Sequence, residues 1–241
     1  MKMKKQLNLN SHLIGKLEDR YRSKWHRLSI YPKEAANDSF KLLILTILSQ
    51  HTSGENCVSA YNNLSARFAI TPSALANGDE EEISNAIKTG GLYKTKTRII
   101  KGVSKEILNK FNGNIEKILR LKKEESKKRL MRLPGVGNKT ADILLANRYS
   151  YREVIPIDTH MSRLVKRLGL VGNEARYEEM QQALMNFIPA RKRERVARLL
   201  WFMGKYTCRA QNPECQGCLF GHACKYGEKI RVNGISTFHK S

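Results

Sequence analysis

Apolar residues recur at helical spacing along nearly all of this 241-residue chain, and no run alternates apolar and polar residues strictly enough to make a strand. The fold class this implies is all-α. The stretch NDSFKLLILTILSQ starts at a capping Asp38 and is apolar on every face from Leu42 to Leu48, as suits a helix at the centre of a domain. Next, HTSGENCVSAYNNLSARF offers Thr52 and Glu55 as a capping box, with Val58, Tyr61, Leu64 and Phe68 on one stripe. A further helix runs from Asp79 towards Gly90-Gly91, and Ile99, Ile100, Val103, Ile107, Leu108 and Phe111 keep the period up to Asn112-Gly113. Helical patterns flank the turn Pro134-Gly135-Val136-Gly137, and others follow Tyr149, one with Pro189 in its first turn. No repeat, low-complexity tract or Pro/Gly/Ser linker marks a domain boundary.

Charge narrows the partner. Lysine and arginine number 44 against 22 aspartates and glutamates, a formal charge of +22, which opposes compaction and attracts polyanions. Nucleic acid is the leading partner class, and a lysine-rich solvated surface is the competing reading. Hydrophobic residues at 41% suffice for a globular interior. No segment approaches the roughly 20 apolar residues of a bilayer span. The opening MKMKKQLNLN lacks the apolar core of a secretory signal. The expectation is a soluble intracellular protein, cytoplasmic or nucleoid-associated, with no membrane partner.

The glycine turn has a mechanism beyond chain reversal. At the start of a helix the amides of Gly135, Val136 and Gly137 meet the positive end of the dipole, a setting that favours a phosphate. A tight connection between helices explains the glycines equally well, and the charge of the chain tips the balance towards phosphate. Lys139 falls in the first turn of that helix, where it reads either as a phosphate clamp or as an amine able to attack carbon. Asp158 opens another helix in VIPIDTHMSRL. There a carboxylate caps backbone amides, and an ionised cap near a reacting sugar also offsets positive charge. His160 is assigned a structural role.

Four of the five cysteines crowd near the C-terminus, and a disulfide framework would spread them differently. Cys208, Cys215, Cys218 and Cys224 have the spacing C-x6-C-x2-C-x5-C, a thiolate set for a metal. Tetrahedral zinc and a four-iron cluster both accept such a set.

These motifs, in order, resemble the endonuclease III family of bifunctional DNA glycosylase/lyases in the helix-hairpin-helix superfamily. The resemblance rests on NDSFKLLILTILSQHTS, IKTGGLYKTKTRII, LPGVGNKTADILL, IPIDTHMSRL and the cysteine cluster, and covers almost the whole chain. It implies a bilobed fold: a six-helix barrel over residues 38–152 holding the hairpin, and an iron-sulfur domain from 1–37 and 153–241. It implies Lys139 as the nucleophile on the sugar, Asp158 as its assistant and the four cysteines as ligands of a [4Fe-4S] cluster. The implied activity is excision of oxidised pyrimidines from duplex DNA, with cleavage 3′ to the abasic site by β-elimination. The partner is then double-stranded DNA with damaged bases or abasic sites, and the protein a monomer. Chemistry at the base-sugar bond requires the nucleotide to be flipped out, and Leu92 in GGLYKTK becomes the wedge.

Two positions depart from the family pattern. An ungapped alignment sets His51 where the family has the glutamine that fills the gap left by the flipped base, with Gln50 one residue earlier, and Gly54 replaces an acidic residue. Both bear on how the opposite base is read. From a different class, a non-enzymatic DNA-binding module with a structural metal would use the same hairpin and cysteines and cleave nothing.

Overall fold

The computed structural model of the chain describes residues 9–28 and 31–233, and among them no strand occurs. Fourteen α-helices follow one another among these residues: α1 Ser11–Tyr21, α2 Lys33–Ala36, α3 Ser39–Leu48, α4 Gly54–Ser65, α5 Pro72–Asn77, α6 Glu80–Ala86, α7 Tyr93–Phe111, α8 Glu116–Leu119, α9 Lys123–Leu130, α10 Asn138–Tyr149, α11 Thr159–Leu168, α12 Tyr177–Phe187, α13 Arg193–Phe202 and α14 Lys225–Asn233. They divide between two compact units. A central unit spans His26–Tyr149, and a terminal unit joins Met1–Trp25 to Ser150–Ser241.

In the central unit, α3 is the core. Leu43, Ile44, Ile47 and Leu48 are fully buried, each side chain stabilising the fold by roughly 1.5–3 kcal/mol. Asp38 accepts from the amides of Phe40 and Lys41 and starts the helix as its sequence indicates. Helices α2, α4, α7 and α10 pack around it. Helix α4 begins one residue later than a Thr52 cap predicts. Ser53, in extended backbone, accepts from Asn56 N at 3.1 Å, because left-handed His51 (φ 51°) turns the chain and leaves Thr52 outside the helix.

The long helix α7 carries the hairpin. Its Ile99 lies where the turn Pro134–Gly137 comes down. A Cβ on Gly135, whose φ is +68°, would stand 2.5 Å from Ile99 Cγ2, so only glycine permits this approach. Lys127 of α9 reaches Asp142 of α10 at 3.0 and 3.1 Å, and the carboxylate is almost fully buried. That ion pair joins the two helices of the hairpin, and removing one partner of such a pair costs about 3–5 kcal/mol.

In the terminal unit α1 packs against α13. Tyr21 stacks on Phe202 at 6.1 Å, and its hydroxyl shares a 2.7 Å hydrogen bond with Thr207. Pro189 precedes a single 3-10 turn, Ala190–Lys192, and the α-helix proper starts only at Arg193. After Phe202 the chain widens into a π-helical stretch, Met203–Thr207, which ends at Cys208. The close approach there is made by Gly204, where a Cβ would lie 2.9 Å from the His160 carbonyl oxygen.

The two glycines of the hairpin separate experimentally. Gly135→Val should lower stability by roughly 2 kcal/mol or more through strain and overpacking against Ile99. Gly137 has no atom within 4 Å of a built Cβ, so Gly137→Ala should leave the thermal midpoint where it is. Equal midpoints for the two variants would show that Ile99 does not enforce glycine at Gly135.

Candidate active site and cysteine centre

The hairpin presents Lys139 outward. The lysine is exposed one residue into α10, while neighbouring Thr140 and Val136 are buried. Val136 differs from the expectation that all three hairpin amides face an anion. Its N–H donates to Leu133 O at 3.1 Å inside the turn, so it is not available to an anion as the other two were expected to be. Intraturn closure of this kind leaves no trace in a Gly-x-Gly pattern.

Gln50 and His51, adjacent in sequence, diverge. Half-buried Gln50 turns its amide to the hairpin and donates to Gly135 O at 3.2 Å, with Thr140 Oγ1 at 3.5 Å. His51 is exposed on a left-handed backbone. Leu92 is likewise left-handed, at φ 49°, and 58% exposed. A large apolar side chain held outward on a strained backbone adds nothing to a core, and such strain collects at functional positions.

Lys139 belongs to the central unit and Asp158 to the terminal one. Half-buried Asp158 caps α11: Oδ1 accepts from Met161 N at 2.8 Å, and Oδ2 accepts from the Trp201 indole N–H at 2.7 Å. One donor from the helix end and one from α13 fix the carboxylate plane. The backbone donor is what the sequence indicates; Trp201, 43 residues away, is a partner the sequence does not signal. His160 packs edge-on to Trp201 at 6.1 Å, with Nδ1 3.2 Å from Arg163 Nη2. Burial pushes its pKa below the ordinary histidine value, against the opposing pull of Asp158. This suits the structural role assigned to it.

Cys208, Cys215, Cys218 and Cys224 all line one small cavity, together with Leu164, Leu168 and Met203, and none forms a disulfide. Burial, with the three other thiols as neighbours, pushes Cys218 up to about 11. Donors already point at the sulfurs: Arg167 Nη1 and Gly227 N each lie 3.5 Å from a cysteine Sγ, on Cys208 and Cys224 respectively. Arg163 and Arg167 also hold the carbonyls of Cys208, Arg209 and Ala210. Among the described residues no three His, Cys, Asp or Glu side chains converge closely enough to grip an ion as they stand. The donor set, two buried and two half-buried thiols with a guanidinium on Cys208 and an N–H on Cys224, suits a thiolate-bound metal centre. No helix among the described residues is long and apolar enough to cross a membrane.

The model of the HhH-GPD superfamily of base excision DNA repair proteins matches residues 44–190, and the chain belongs to that superfamily. Its relatives include the endonuclease III of Thermotoga maritima, 32% identical over 78% of this chain and 84% of the relative. The endonuclease III of Sulfolobus acidocaldarius is 29% identical over 91% and 97%. Among solved structures, a trapped endonuclease III–DNA covalent intermediate, an estranged-adenine complex, superposes with a TM-score of 0.76 at 26% identity, covering 96% of this chain and all of that one. A non-covalent endonuclease III–DNA complex gives 0.74 at 27%, with the same coverage. The protein is a base-excision repair enzyme with glycosylase/lyase activity.

Trp201→Phe removes one donor from Asp158 and keeps the ring. A hydrogen bond to a charged group contributes about 1.5–3 kcal/mol, so base removal should slow roughly 10- to 100-fold in single-turnover assays. Cleavage at a pre-formed abasic site should change much less. Unchanged base removal would mean that the indole does not position the carboxylate.

Proposed function

We propose that this enzyme removes oxidised pyrimidines from duplex DNA and cuts the strand 3′ to the resulting abasic site through a Schiff base on Lys139. The observation that carries this reading is the exposed position of Lys139 in the first turn of α10, directly after the turn that Gly135 seats on α7. Departure of the base breaks the C1′–N bond and leaves positive charge on the sugar, which the Asp158 carboxylate offsets. The Lys139 nitrogen bonds to C1′, gives up a proton and, as the sugar ring opens, becomes an imine. Loss of a C2′ proton then expels the 3′ phosphate, the strand break of β-elimination. Gly135 and Gly137 hold a backbone phosphate, Leu92 enters the duplex, and His51, with Gln50 behind it, faces the base left unpaired.

The terminal unit is the cluster domain in this reading. Cys208, Cys215, Cys218 and Cys224 would hold a [4Fe-4S] cluster, which would organise the surrounding loop and need not change redox state in the repair reaction. The enzyme works as a monomer on damaged or abasic duplex DNA, within the cytoplasm or nucleoid.

Lys139→Gln should abolish borohydride-trapped adduct and strand cleavage, by roughly 1000-fold or more even at saturating DNA, because no imine forms. Binding to an abasic duplex should fall only modestly. Asp158→Asn should slow base removal more than cleavage at a pre-formed abasic site. A trapped adduct at near wild-type yield in Lys139→Gln would assign the chemistry to another amine.

The purified protein should be brown, with broad visible absorption and equal amounts of iron and inorganic sulfide. A colourless protein carrying zinc would overturn the cluster assignment.

A further inference from the structure

Lys96 is 2% exposed, an unusual place for a lysine in a chain where nearly every other basic residue reaches solvent. Its Nζ donates to Leu48 O at 2.7 Å and to Gly90 O at 2.8 Å. Both acceptors close segments that lead into strained turns. At the end of α3 the other terminal carbonyls are met locally: Leu45 O by Ser49 N, Thr46 O by Ser49 Oγ and Ile47 O by Gln50 N. Leu48 O is met from another helix, by Lys96. Three residues on stands His51, with φ at 51°; two residues after Gly90 stands Leu92, with φ at 49°. A non-glycine residue in that region costs about 1–3 kcal/mol and persists only where its surroundings over-determine it. One buried side chain therefore ties down the approach to both strained positions.

Taking the DNA-facing reading of His51 and Leu92 given above as its basis, we propose that Lys96 is a positioning residue for opposite-base readout. It fixes the spacing between the turn that fills the gap and the turn that carries the wedge. Geometry favours this role over simple packing. The two carbonyls belong to segments 42 residues apart in sequence, and an apolar side chain at Lys96 would leave both of them buried without a donor. Burial also pulls the amine's pKa below that of a free lysine, with Cys57 opposing, the cost of keeping such a group inside. Gln50, two residues beyond Leu48, continues the connection to the hairpin carbonyl of Gly135. The wedge turn, the end of α3 and the phosphate-binding hairpin are thereby joined in one unit by three side-chain hydrogen bonds.

The test compares abasic-site duplexes bearing each of the four opposing bases with the same site placed across from a one-nucleotide gap. The full-length protein is used in wild-type, Lys96→Met, Leu92→Ala, His51→Ala and Lys96→Met/Leu92→Ala forms. Lys96→Met should slow cleavage of the paired duplexes about 10-fold and compress the spread among opposing bases. Its rate on the gapped substrate should fall by less than about 3-fold. The double variant should be no slower than the slower single variant, since both changes spoil the same insertion. Lys96→Gln keeps two N–H donors on a shorter stem and should recover part of the discrimination. If Lys96→Met lacks the helical circular-dichroism signal of the parent, Lys96→Gln carries the comparison, with the same loss on paired substrates expected at smaller size. Equal losses on paired and gapped substrates, or additive effects with Leu92→Ala, would overturn the positioning role while leaving the wedge reading intact. If neither Leu92→Ala nor His51→Ala changes cleavage of any paired duplex, the DNA-facing reading itself falls, and this inference with it.

Discussion

Among the described glycines of the central unit, Gly135 leaves the least room for a side chain, and its seat against Ile99 governs how the functional parts are arranged. With no Cβ in the way, the hairpin turn settles onto α7. Pro134 reaches the same helix near Gly102. Leu92 immediately precedes that helix, which carries Lys96 in its first turn. A single rigid element thus bears the outward Leu92 at its start, the buried amine and the seat of the hairpin. Lys139 inherits its place from this contact, because α10 starts where the turn ends. The buried Lys127–Asp142 pair then keeps α9 and α10 together behind it.

Helix α11 has the matching part in the terminal unit. Its N-terminus is capped by Asp158, and its face carries Arg163 and Arg167, which grip the carbonyls around Cys208. The carboxylate and the cysteine loop therefore share one helix. The π-helical stretch adds a second tie: it brings Gly204 onto the His160 carbonyl and ends at the first cysteine. Trp201, just before that stretch, reaches back to Asp158. Disturbing the thiol centre should be felt at the carboxylate through these contacts.

Much of this was legible in the residues. Asp38, Asp79 and Asp158 each cap the helix their sequences announce, because capping is a local contest between a side-chain oxygen and nearby amides. Asn112-Gly113 ends α7 with positive φ at both residues, again a local property. Thr52 against Ser53 went the other way, since two adjacent hydroxyls have the same chemistry and the backbone at His51 chooses between them.

By itself the sequence determined the helical class, the hairpin, the spacing of four thiols and the identity of Lys139 and Asp158 as candidates, all of which depend on residues near one another in the chain. Only the tertiary structure decided that Lys96 is a buried clip and not one more solvated charge, that Trp201 holds Asp158, that Gln50 turns to the hairpin while His51 faces out, and that the Val136 amide is already used. The physical reason is the same in each case. A hydrogen bond is satisfied by whichever donor or acceptor packing brings within about 3 Å, and for Lys96, Trp201 and Gln50 that partner lies up to 85 residues away.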